Sequence, residues 1–105
     1  MLTSQEIVKK LEGTSTEAAL KTILRRLLHY QQELERDNVE TQGQLYNKVA
    51  ESQEQAKIIF DTINLMTDSK IGYWLDLNTN ICHFVDWSTD TETILVSFDL
   101  MKPPY

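Results

Sequence analysis

"IGYWLDLNTNICHFVDW" spans residues 71–87 and reads as two strands around a polar turn. Its large residues fall on both sides of any strand drawn through it. Leu75 and Val85 point one way, and Trp74 and Phe84 point the other, because side chains alternate across a strand. With "NTN" as a three-residue loop, Leu77 faces Ile81, Leu75 faces His83 and Tyr73 faces Val85. Ile94, Val96, Phe98 and Leu100 continue that face on a third strand, so it is the face expected to pack on helices. The opposite face then carries Trp74, Asp76, Cys82, Phe84, Asp86, Leu95, Ser97 and Asp99.

Aromatic side chains ringed by carboxylates suit a contact surface, since interfaces gain energy from buried aromatic anchors with a polar rim. Trp74, Phe84 and Leu95, with Asp76 and Asp86, are therefore the expected partner-binding residues. A plainer reading stands beside it: Trp74 and Phe84, opposite one another, form a cross-strand pair that only stabilises the sheet. A one-residue slip of register would exchange the two faces.

Ahead of the strands lies a helical part. Thr3 with Glu6, and Thr14 with Glu17, have capping-box spacing, and Gly13 separates them as a helix stop. Ile7, Val8 and Leu11 stripe the first helix. Leu20, Leu24, Leu27 and Leu34, widened by Ile23, Leu28 and Tyr30, stripe the second. A third run, Leu45, Val49, Ala56, Ile59, Ile63 and Met66, follows a polar stretch at 31–44. A helical hairpin broken within 37–44 is favoured over one continuous helix. A helix from Thr16 to Met66 would be roughly 75 Å long and would need a dimer to cover it. Leu45, Val49, Ala56 and Ile59 are the expected helix-pairing residues, with a homodimer in view.

"TDSK" (67–70) ends the helices. Strands are expected at Ile71–Leu77, Ile81–Trp87 and Thr93–Leu100, and Pro103 and Pro104 stop further pairing. The fold class is α+β, N-terminal helices followed by a three-stranded antiparallel β-meander. At 105 residues the chain is expected to form a single domain, 1–105, with a helical part at 1–68 and a meander with a Pro-containing tail at 69–105.

Hydrophobic content of 41% and charged content of 25% mark a folded rather than a disordered chain. "MLTSQEIVKK" lacks the apolar segment of a secretory signal, and no run is long enough to span a membrane. A lone Cys82 fits a reducing cytoplasm, the expected location. Net charge is −6, divided as +2 over residues 1–30 and −8 over 31–105. Such a chain repels nucleic acid and anionic membrane. Lys21, Arg25 and His29, with Arg26 beside them, stripe the second helix, but a basic stripe is usually a solvated face, and direct nucleic-acid binding is not expected.

No cofactor is implied and no metal site is assigned. Cys82 and His83 are adjacent and point to opposite faces, and a nucleophilic site would require Cys82 to meet His29 across the fold. Three alternatives are thus ordered. First comes a non-enzymatic cytoplasmic interaction module, a regulator or adaptor that binds another protein. Second is an acidic inhibitor that mimics nucleic acid through Glu33, Glu35, Asp37, Glu40, Glu51 and Glu54. Third is a small metal-dependent enzyme built on Asp76, Asp86 and Asp99.

Overall fold

The computed structural model describes residues 1–36 and 42–101. Its helices begin where the sequence places caps. The Thr3 hydroxyl accepts from the Glu6 N–H at 3.2 Å, and the Glu6 carboxylate accepts from the Thr3 N–H at 3.3 Å. This closes a capping box at the start of α1 (Ser4–Leu11). Gly13 then takes φ +74°, a left-handed conformation in which a side chain is disfavoured. Thr14 caps α2 (Ser15–Glu35) by accepting from the Glu17 N–H at 3.3 Å.

α2 and α3 (Gln42–Asn64) pack on one another as a helical hairpin. The longest dimension of the molecule is 48 Å, well short of the rod a continuous helix would make. α3 already includes Gln42, Gly43 and Gln44, so that part of the expected 37–44 break region is helix. Residues 37–41 lie outside the described residues, as do Pro103 and Pro104. Leu20, Leu24, Leu27 and Leu28 of α2 are wholly buried, with Ala56, Phe60 and Ile63 of α3 against them.

α3 ends at Asn64, whose side chain closes the join to the sheet. Its Oδ1 accepts from the Ile71 N–H at 2.9 Å, and its Nδ2 donates to the Ile71 carbonyl at 3.0 Å. β1 (Ile71–Asp76), β2 (Ile81–Asp86) and β3 (Thr93–Asp99) form an antiparallel meander in the order β1-β2-β3. The fold is therefore α+β, three helices followed by a three-stranded meander, as the sequence implies.

The register departs from the expected one. Asp76 pairs with Ile81, so the loop is the four residues Leu77–Asn80 and not "NTN" alone. Asp76 Oδ1 accepts from the N–H groups of Asn78 and Thr79 at 3.0 and 3.4 Å. Asn80 takes φ 63° and its N–H bonds the Asp76 carbonyl at 2.9 Å. An Asx turn closed by a left-handed Asn thus sets the loop length, and the loop length sets the register.

Each row across the sheet follows. Tyr73, Phe84 and Val96 form one row on the helix side, and Leu75, Cys82 and Phe98 the next. Phe84 stands at the centre, with ring centroids 5.3 Å from Phe60 of α3 and 5.0 Å from Phe98, both edge-on. Tyr73 stacks on Phe60 at 5.6 Å. Burying Phe84 contributes roughly 1.5–3 kcal/mol.

Candidate functional site

The side of the sheet turned away from the helices carries three rows. They are Gly72–Val85–Ile94, Trp74–His83–Ser97 and Asp76–Ile81–Asp99. Trp87 joins the first row. A Cβ on Gly72 would meet its ring carbon Cζ3 at 2.5 Å, so the indole lies directly on the bare glycine backbone. Val85, in the same row, is wholly buried. The Trp87 N–H bonds the Lys70 carbonyl at 2.8 Å and extends the ladder by one step.

In the second row Trp74 stacks on His83, with centroids 5.1 Å apart and planes 17° from parallel. His83 Nδ1 and Ser97 Oγ share a hydrogen bond of 2.6 Å. With His83 against one face of the indole, the exposed half of Trp74 includes its other face. Trp74 is 50% exposed, Trp87 48% and Ile94 55%. Gly72 and Trp74 are two residues apart on one face, ~7 Å, so the two indoles are neighbours.

Of the expected partner-binding residues, Trp74 and Asp76 lie on this outer face. Phe84, Leu95 and Asp86 do not. Phe84 is 1% exposed because the four-residue loop turns β2 over and sends it to the helices. Leu95 falls at a register shift: Phe84 pairs with Val96 and Val85 with Ile94, which leaves Leu95 as an extra residue in β3. The bulge turns Leu95 toward the core and α1, where it lines a cleft with Val8 and Lys9. The same bulge brings Ile94 out. Asp86 shares its row with the buried Ile71, and its carboxylate accepts from the Ser88 N–H at 2.8 Å. Sequence reasoning placed Ile94 and His83 on the helix side and passed over Trp87. Asp76 and Asn80, the turn-forming pair, held the signal for His83 and Trp87, whereas Ile94 comes out through the bulge.

The three strand-end aspartates do not converge. Each accepts from the N–H two residues on: Asp76 from Asn78, Asp86 from Ser88 and Asp99 from Met101. Asp86 sits at the far end of β2 from Asp76 and Asp99, about 17 Å away along the strand. Among the described residues no group of three His, Cys, Asp or Glu side chains could hold a metal ion. The Asn78 N–H holds the Asp76 carboxyl below its ordinary value, and the Ser88 hydroxyl does the same for Asp86. Burial against the helices pushes the Cys82 thiol up to about 12, so it is protonated and unreactive near neutral pH. His29 is exposed on α2 beside Tyr30 and does not complete a site with that thiol.

The basic stripe of α2 belongs largely to the helix–sheet seam. Lys21 Nζ lies 4.3 Å from the Phe98 ring centroid, and Arg25 Nε donates to the Leu100 carbonyl at 2.6 Å. Gln32 Nε2 extends the seam to the Leu77 carbonyl at 2.9 Å and to Asn80 Oδ1 at 2.6 Å. The helix-pairing residues are also used within the chain. Ala56 is wholly buried, and Val49 and Ile59 pack against the same cluster, while Leu45 is half-buried. A separate apolar groove, lined by Leu11, Ala19, Ile58 and Met66, lies open between the helices. Of the acidic stretch, Glu33 pairs with Arg36 at 2.8 Å, and Asp37 and Glu40 lie outside the described residues.

Comparison of the chain with protein-family models, with curated proteins and with solved structures returned no match. Among the described residues no helix is long and apolar enough to cross a membrane.

Proposed function

We propose that this chain is a non-enzymatic interaction module, a small regulator or adaptor that captures another protein on the outer face of its sheet. One observation carries the reading. Trp74, Trp87 and Ile94 are each about half exposed on one uncovered face, although the opposite face already supplies the core. Large apolar side chains gathered on an open face mark an interaction surface, and tryptophan is the residue most enriched at binding hot spots. The chemistry elsewhere supports a binding role: the aspartates close turns and the single thiol is sealed in the core.

Self-association, where it occurs, uses the groove lined by Leu11, Ala19, Ile58 and Met66, because Ala56 is already enclosed. The cytoplasm is the proposed location, on the strength of the single free thiol.

The test is the paired change Trp74→Ala and Trp87→Ala, with immobilised chain and quantitative mass spectrometry of the retained proteins. The proteins held by the unmodified chain should be lost, while the far-UV circular dichroism stays unchanged. An unaltered set of retained proteins would contradict a binding role for this face.

A further inference from the structure

The outer face has a charge as well as a shape. The row Asp76–Ile81–Asp99 places a carboxylate on each side of Ile81 at one end. The loop that carries Trp87 also carries Asp90 and Glu92 at the other end, both exposed. Among the described residues Lys70, one residue ahead of β1, is a cation that adjoins the face, and His83 stands under the Trp74 ring. Two carboxylates thus stand on the face of the tryptophans, and two more lie in the loop that carries Trp87.

This frame selects among occupants. A second copy seated symmetrically on the same face would bring Asp76 and Asp99 of both copies together, since a two-fold interface presents one patch to itself. The chain's net charge of −6 adds to that repulsion. A basic segment meets opposite charge instead. Arginine suits the site better than lysine, because its planar guanidinium stacks on an indole and is more weakly hydrated than an ammonium. Asp76 stands two residues from Trp74 on the same face, ~7 Å along β1, within reach of a guanidinium resting on the ring.

Taking the outer face as the binding surface proposed above, we infer that its occupant is a basic segment of a partner protein. An arginine side chain lies on the open face of Trp74, and Asp76 receives its charge.

The test uses the full chain, ¹⁵N-labelled, and two peptides of equal length and charge. One alternates arginine with serine and the other lysine with serine. The arginine peptide should move the indole N–H signals of Trp74 and Trp87 and the amides of Asp76 and His83. The lysine peptide should bind more weakly, and added salt should weaken both. Trp74→Ala should weaken the arginine peptide by roughly two- to fivefold, the worth of an exposed cation–π contact. Asp76→Asn should also weaken it without touching the aromatic stack. Shifts confined to the acidic helix positions Glu33, Glu51 and Glu54, equal responses to the two peptides, or no response at all would overturn the inference. If Trp74→Ala with Trp87→Ala still abolishes capture of a partner while neither peptide moves an indole, the face binds an uncharged partner. The interaction reading then stands and the basic-segment inference falls.

Discussion

Tyr73 and Trp74 are chain neighbours, and they meet opposite fates. Tyr73 stacks on Phe60 within the core, where burial raises its phenol above the ordinary value. Trp74 stands half exposed on the far side of the same strand, stacked on His83. The contrast repeats along β2, where Phe84 is closed in and His83 is not. The inner face is what holds the fold together. The outer face is also aromatic, but Trp74 and Trp87 there are half exposed. An aromatic group is a stability element only where a second layer covers it, and otherwise it is available for a partner.

Breaking the inner face should cost the most. Phe84→Ala removes the ring shared by Phe60 and Phe98 and should lower unfolding free energy by about 3–5 kcal/mol in urea titration. The same truncation at Trp74 should cost no more than about 1.5 kcal/mol, the upper worth of an aromatic pair beyond its burial. Equal losses at the two positions would erase the distinction between the faces.

The inner face should also be sensitive to alkali. Burial raises the Cys82 thiol from 9.0 to about 12. A group raised on folding stabilises fully below its unfolded value, and that stabilisation is lost as pH rises toward the folded one. Stability should therefore decline above pH 9, and Cys82→Ala should lessen the decline. A thiol reagent should leave Cys82 untouched in the folded chain and modify it on unfolding.

The smallest effect belongs to the outer face. Gly72→Ala places a methyl where the Trp87 ring lies, and the ring must move aside. The cost should be about 1 kcal/mol, the low end for overpacking, with Trp87 fluorescence moving toward that of a solvated indole. A stability loss as large as that of Phe84→Ala would mean that Trp87 is core.

The helices were legible because their signals are local and redundant. Thr3 and Glu6 form their capping box in place, Gly13 takes the left-handed conformation its position demands, and the leucines of α2 are buried as their spacing implies. Register was not legible from hydrophobic alternation. β2 is apolar in both phases, Ile81 and Val85 in one and Cys82 and Phe84 in the other, so the pattern favours neither face. The choice falls to Asp76 and Asn80, whose turn chemistry makes the loop four residues long. The bulge at Leu95 was equally silent, because Ile94, Leu95 and Val96 are all apolar. Phe60 escaped because it stands one position beyond Ile59 in the stripe, yet it is the residue that meets the sheet. Phe84 and Asp86 were misplaced because the loop is one residue longer than expected, and Leu95 because of the bulge.

Tryptophan quenching by acrylamide in the unmodified chain tests this register most directly, with Trp74→Ala used to isolate Trp87. A three-residue loop would turn Trp87 inward with Val85, toward the helices. The four-residue loop leaves both indoles half in solvent. Acrylamide should quench both rings in the folded chain, and Trp87 alone should remain quenchable in the variant. A blue-shifted Trp87 that acrylamide cannot reach until the chain unfolds would contradict the register, and with it the binding face.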